Sequence, residues 1–204
     1  EDLLSQNNLL EEADPNFANR VFSPTQMVAN LVDYIDGDSN SFNFENTMGL
    51  DEEHCLNQDL YTIQDLANIP GFTSKRVKAI LPYLTVYNSD KAEGININTA
   101  SPEMLSYLDE EITLDIAQNI KEYIRENGSI SNPEELTNSV SGYTKSLNDS
   151  LTEPPSLLTT SSDYFFVFAR ISYGDYESYY SKALIKRNSE NGNIPAKIEK
   201  INFY

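Results

Sequence analysis

The sequence has no Trp, one Cys, one His, 8 Gly and only 14 Lys and Arg among 204 residues. A single cysteine, Cys55, cannot close an intrachain disulfide, and it removes every CxxC-type zinc site. Disulfide-free chains occur in reducing and oxidising compartments alike, so cysteine use leaves the compartment open. The chain holds no run of 18 apolar residues and no signal peptide, so no membrane span is expected within it. No Gly-rich phosphate loop occurs. His54 adjoins Cys55 in an acidic stretch, where neighbouring side chains usually diverge, and no G-x-S-x-G elbow is present. Carboxylate pairs for glycoside chemistry carry no information in a chain with 32 acidic residues. The expectation is a protein that is not an enzyme.

What the chain does have is acid. Its formal charge is −18 and its pI about 4.2, a field that opposes nonspecific attraction to nucleic acid and to anionic lipid. Residues 1–65 hold 14 Asp and Glu against Arg20 alone, whereas residues 66–204 hold 18 acidic and 13 basic residues. A divalent cation could neutralise part of that N-terminal excess, and a solvated acidic face is the other reading. Hydrophobic residues reach 39%, with 13 Tyr and 9 Phe, enough for a core in one large or two small domains.

Helix starts recur. Ser23-Pro24-Thr25-Gln26 offers an N-cap, a first-turn proline and a capping-box partner. Asn132-Pro133-Glu134-Glu135 repeats that logic, Ser101-Pro102 supplies its first two elements, and Thr62-Ile63-Gln64-Asp65 is a weaker form. Met27, Val28, Leu31, Val32 and Ile35 are expected on one face of the first helix. Ile112, Ile116, Ile120 and Ile124 step by four along a longer helix that Asn127-Gly128 closes. Residues 23–150 therefore read as a compact bundle of short helices. After Pro154-Pro155 the texture changes to strands at Tyr164–Tyr173, Tyr176–Arg187 and Lys197–Tyr204, with turns at Gly174-Asp175 and Asn191-Gly192-Asn193. The fold class is α+β, a helical block followed by an antiparallel meander, and three strands alone need a helix against one face.

A short cadence recurs loosely. Asp65-Leu66 leads to Ile69-Pro70-Gly71-Phe72, and Glu135-Leu136 leads to Val140-Ser141-Gly142-Tyr143. The first copy, through Lys75, Arg76, Lys78 and Ile80, resembles a helix-hairpin-helix whose turn presents backbone amides to a DNA phosphate. Thr73 stands where the usual second glycine would be, and the same turn also serves simple helix packing. Asp33, Asp36, Asp38 and Asn40 crowd hard oxygen donors of the kind calcium takes. Asp36, Asp38 and Asn40 match the first ligand positions of an EF-hand, but Ser41 and Thr47 stand where its glycine and bidentate glutamate belong. A different calcium loop could recruit Glu45, Asp51, Glu52 or Glu53, and a loop that binds nothing is the alternative.

One stretch carries a family likeness. Leu60 to Phe72, then Leu81-Pro82-Tyr83-Leu84-Thr85-Val86-Tyr87, then Gly94-Ile95-Asn96-Ile97-Asn98-Thr99-Ala100-Ser101-Pro102-Glu103-Met104-Leu105 resemble the K-type minor pseudopilins of type II secretion systems. Leu31-Val32-Asp33-Tyr34-Ile35-Asp36-Gly37-Asp38 is similar to the family's "l-x-D-W-x-D-x-D", with Tyr for Trp, and Gly49-Leu50-Asp51-Glu52 stands where the family has Gly-Ala-Glu-Asp. The likeness runs in order over residues 25–190, and its asparagine–threonine signature is shared with DNA-uptake helix-hairpin-helix proteins.

That resemblance implies a pilin-like body, residues 1–22 with 156–204, carrying an inserted all-α domain of helix-hairpin-helix or SAM-like type at 23–155. It implies a non-enzymatic tip protein of a periplasmic pseudopilus that assembles with two other minor pseudopilins to initiate or cap the filament. The chain opens on Glu1 rather than Met, so a trimmed or processed product is expected. The inner-membrane anchor helix implied by the family would then lie before Glu1. Structural calcium is implied too, on Asp36, Asp38, Asp51 and Glu52. A minor pilin of a type IV pilus or competence system and a DNA-binding helix-hairpin-helix module remain as alternatives, the second disfavoured by the charge.

Overall fold

A computed structural model describes residues 2–38, 40–50, 57–87, 94–174, 177–187 and 196–203. The chain forms two compact units, 1–86 and 87–204. These limits differ from the expected partition at 22 and 155.

In the first unit, α1 (Asp2–Gln6) and the two-residue strands β1 (Ala13–Asp14) and β2 (Arg20–Val21) precede α2 (Pro24–Ile35). Ser23 caps α2 as expected, its hydroxyl accepting from the Gln26 amide at 3.1 Å. The buried face, however, is Met27, Ala29, Asn30, Asp33 and Tyr34, while Val28 and Ile35 are exposed. Tertiary partners override the hydrophobic count here. Asn30 donates to the Pro70 carbonyl at 2.9 Å, and Asp33 accepts from the Phe42 amide, so both polar groups are buried with partners. The β3–β4 hairpin (Asn43–Phe44, Thr47–Met48) follows, then a 3₁₀ turn (Ile63–Asn68) and α3 (Ser74–Ile80). Leu4, Phe22, Met27, Tyr34, Leu66, Ile69, Phe72 and Val77 form one core. Residues 2–22 thus pack with the first unit, whereas the sequence reading grouped 1–22 with the C-terminal sheet.

The second unit has its own core, built on Ile97, Leu105, Ile120, Leu136, Leu147 and Leu151. Its helices are α4 (Pro102–Ser106), capped by Ser101, α5 (Leu114–Asn127), and α6 (Lys145–Thr152), with a 3₁₀ turn at Pro133–Asn138. Thr113 caps α5, so Ile112 precedes the helix yet is still buried, and Gly128 ends it at φ 88°. The strands β5 (Ile95–Asn96) and β6 (Leu158–Thr159) pair in parallel.

The expected meander is present: β7 (Tyr164–Tyr173), β8 (Glu177–Lys186) and β9 (Lys197–Phe203) form an antiparallel sheet in sequential order. Its register sets Phe166 opposite Leu184 and Val167 opposite Ala183. It continues with Ala183 opposite Ile201 and a bulge at Leu184/Ile185. Because strand side chains alternate, Phe165, Val167, Ile171, Tyr179, Ile198, Ile201 and Phe203 share one face, and Tyr164, Phe166, Phe168, Arg170, Tyr180, Lys182 and Lys200 the other. The mixed helix-and-sheet class and the closing meander are as expected, and the turn at 191–193 lies outside the described residues.

Candidate functional site

Two hairpin turns, each a 3₁₀ turn leading through a left-handed glycine into a capped helix, are built alike. In the first, Asp65 accepts from the Tyr61 and Thr62 amides at 3.0 and 2.7 Å, closing the start of the 3₁₀ turn. Leu66 and Ile69 are buried, Gly71 turns at φ 95°, Phe72 is buried, and Thr73 caps α3 through the Arg76 amide at 3.2 Å. In the second, Glu135 accepts from the Asn132 amide at 3.1 Å, Leu136 and Val140 are buried, and Gly142 turns at φ 87°. Tyr143 is buried and Thr144 caps α6 through the Leu147 amide at 3.1 Å. The cadence seen in the sequence is therefore a structural repeat. Glycine is required at both turns. A Cβ on Gly71 would stand 2.8 Å from Met27 Cγ, and one on Gly142 would stand 2.8 Å from Ile116 Cδ1, in addition to the left-handed backbone.

In the first hairpin the amide of the turn glycine is taken by a carboxylate of the chain itself. Its Gly71 amide donates to Asp14 Oδ2 at 2.9 Å, and Asp14 is 1% exposed. Thr73 Oγ1 donates to Glu12 Oε1 at 2.8 Å, and Lys75 Nζ lies 3.5 Å from Glu12 Oε2. Arg76, expected in a basic patch, is instead fully buried. Its guanidinium donates to the carbonyls of Leu9, Leu10, Phe22 and Gly71 at 2.8–3.0 Å. Burial pushes its pKa down while the charges of Glu12, Asp14 and Glu11 push it up. The expected basic face thus reduces to Lys75, held by Glu12, and the exposed Lys78.

The second hairpin leaves its turn exposed at Ser141 and Gly142. Its nearby cation, Lys145, lies 3.6 Å from Glu134 and 3.6 Å from Asp149, so the local charge is not positive. Tyr143 closes the hairpin from inside, its hydroxyl donating to Asn148 Oδ1 at 3.3 Å, and burial pushes its pKa up to about 12. An unfolded tyrosine ionises near 10, so the unfolded chain releases a proton that the folded chain keeps. The resulting stability is full below about pH 10 and is lost as pH rises to about 12, a change of roughly 2–3 kcal/mol. Urea unfolding of wild type and Tyr143→Phe across that range should show a steeper loss of stability with rising pH in wild type.

The asparagine–threonine signature is structural. Asn98 accepts from the Ile130 amide at 2.9 Å and donates to the Ile130 and Thr160 carbonyls at 3.0 and 3.2 Å. Lys121 Nζ donates to the Ile97 and Asn98 carbonyls at 3.3 and 2.8 Å, and its burial pushes the ammonium pKa down. The signature stitches α5 and the 158–160 segment around one loop. Sequence reasoning names Arg76 but assigns it to an exposed basic patch, and the site residues that it misses are Asp14 and Asn30. Their only sequence signal is polarity at positions where an amphipathic pattern would place apolar residues.

The acidic loop begins where α2 ends. Asp38 Oδ1 accepts from the Asn40 amide at 2.7 Å and from Asn40 Nδ2 at 3.1 Å, and the Asp38 carbonyl accepts from Asn57 Nδ2 at 2.7 Å. Asp36 Oδ1 is buried with no hydrogen-bond partner among the described residues. That orphaned oxygen and the all-oxygen donor set fit a hard cation. Among the described residues no group of three or more potential ligands gathers, while Asp51 and Glu52, with Glu53, His54 and Cys55, lie outside them. No helix among the described residues is long and apolar enough to cross a membrane.

No curated protein aligns significantly with the chain. A family model for the helix-hairpin-helix motif matches residues 90–146, a span that runs from the asparagine–threonine loop through α5 into the start of α6.

Proposed function

We propose that this chain is a non-catalytic assembly subunit of the minor-pseudopilin kind, in which the C-terminal sheet is covered on one face by an apolar helix. The observation that carries this reading is that face: Phe165, Val167, Ile171, Ile198, Ile201 and Phe203 are 44–76% exposed. Contiguous apolar surface of that kind marks an interaction site, and a three-stranded sheet needs such a cover to be stable. In the resembling family the cover is an N-terminal helix that also anchors the subunit in the inner membrane. Two other minor pseudopilins complete a periplasmic tip in which the helical part blocks further stacking. Co-expression with the minor pseudopilins of the source cell should recover a ternary complex, and Val167→Lys with Ile171→Lys should abolish it. Recovery of neither partner by the wild-type chain would sink the reading.

Calcium in the acidic loop belongs to the same proposal, with Asp36 and Asp38 as ligands and Asp51 and Glu52 as the pair that completes them. Binding would stabilise the folded state by mass action. Thermal melts with calcium, magnesium and EDTA should show a calcium-selective rise that Asp36→Ala with Asp38→Ala removes. Equal melting temperatures in calcium and EDTA for the wild type would exclude the metal.

The motif match at 90–146 favours a second reading, a DNA-binding module working through the second hairpin. Against it stand the net charge of −18 and the two carboxylates holding Lys145. Salt-dependent retention on duplex DNA that Lys145→Glu abolishes would favour this reading.

A further inference from the structure

We propose that the sheet face opposite the apolar one binds an acidic peptide segment of a partner protein, seating a carboxylate between Arg170 and Lys182. The inference does not rest on the assembly reading, which uses the other face. Residues 164–203 contain six basic and four acidic residues, a net of +2 in a chain of −18. The positive charge gathers on one face by register. Phe168 is opposite Lys182 and Arg170 opposite Tyr180, and Lys182 is opposite Asn202 and Leu184 opposite Lys200. Lys197 is set apart by its ion pair with Glu199 at 3.1 Å. A shallow cavity of about 390 Å³ opens here, lined by Phe168, Arg170, Tyr180 and Lys182 together with Ala169 and Ser181. Phe168 is 72% and Tyr180 49% exposed, so the cavity joins two cations to an apolar rim.

The arrangement suits an alternation of carboxylates and apolar side chains on an extended peptide. The Arg170 guanidinium is held by Ser178 Oγ at 3.2 Å from Nε and 3.0 Å from Nη2, so its position is fixed before a ligand arrives. Single-stranded nucleic acid, the other polyanion that basic aromatic sheets take, fits less well. Bases need open ring faces to stack on. Here Lys182 Nζ stands 4.1 Å from the Phe166 centroid and 5.4 Å from that of Phe168, and the Arg170 guanidinium lies 5.8 Å from that of Tyr180. Lys182 thus covers one face of Phe166, and the chain's net negative charge repels a dense phosphate backbone more than it repels spaced carboxylates.

The test is fluorescence anisotropy of the full chain with a short labelled peptide of alternating Glu and Leu, its Gln-for-Glu counterpart, and labelled oligothymidylate. Saturable binding of the acidic peptide is expected, weakened about tenfold between low and physiological salt. Arg170→Glu with Lys182→Glu should remove it, and the milder Lys182→Gln should weaken it several-fold, with circular dichroism confirming the fold of each. Arg125→Gln, which removes an exposed cation on α5 well outside the sheet, should bind as wild type does. Equal binding of the Gln peptide, tighter binding of oligothymidylate, no saturable binding, or indifference of folded Lys182→Gln would each overturn the proposal.

Discussion

Arg76→Ala is expected to cost the first unit about 3–5 kcal/mol, at the upper end of the range for core truncations. The guanidinium is the common donor for four backbone carbonyls drawn from three segments: Leu9 and Leu10, Phe22, and Gly71. Truncation leaves those oxygens buried and unpaired and removes the positive charge facing Asp14 and Glu12. The structural repeat provides the control, because Leu147 is 1% exposed at the matching position of the second hairpin. If hydrocarbon packing were the main contribution, Arg76→Leu would be nearly neutral. The expectation is that it loses almost as much as Arg76→Ala, because leucine fills space but satisfies no carbonyl, while Arg76→Lys recovers part. Urea unfolding followed by the amide signals of α3 measures this, and Arg76→Leu within about 0.5 kcal/mol of wild type would refute it.

What the sequence made legible follows from which interactions are local. Helix caps at Ser23, Ser101 and Asn132 are set within three residues, and each forms as its residues imply. The strand limits of the meander follow from aromatic and β-branched density broken by Gly174, and the hairpin cadence follows from glycines that must turn left-handed. The buried face of α2 was not legible. Periodicity favoured Val28 and Ile35, while the structure buries Asn30 and Asp33 because Pro70 and Phe42, 40 and nine residues away, bring the matching backbone groups. The same long-range logic hid the fate of the basic cluster at 75–78. Only the return of residues 9–22 across the first hairpin converts Arg76 from a surface cation into a buried donor and places Asp14 on the Gly71 amide. The proposed ligands Asp36 and Asp38 could be picked from spacing, but no local rule marks the orphaned Asp36 oxygen, since its burial is made by the fold.

Gly49→Ala is expected to lower stability by about 3 kcal/mol and to uncouple the acidic loop from α2. Gly49 is not demanded by a left-handed turn. It is demanded by space, because a Cβ there would run into Asp33 Oδ2 and stand 3.0 Å from the Ala29 carbonyl. Asp33 is 0% exposed, so its carboxylate has no open side to move into. Displacing it breaks its bond to the Phe42 amide, while the Gly49 amide is itself bound to the Phe42 carbonyl at 2.9 Å. One methyl group therefore strikes the point where both ends of the 36–49 loop are tied down. Asp33→Ala relieves the clash but orphans the Phe42 amide, so Asp33→Ala with Gly49→Ala should cost clearly less than the sum of the single changes. Simple additivity would show that the two residues do not meet as described. The loop also carries Asp36 and Asp38, so the calcium-dependent rise in melting temperature expected for the wild type should vanish in Gly49→Ala even where circular dichroism shows its helices retained. An undiminished calcium response in that variant would place the cation away from this loop.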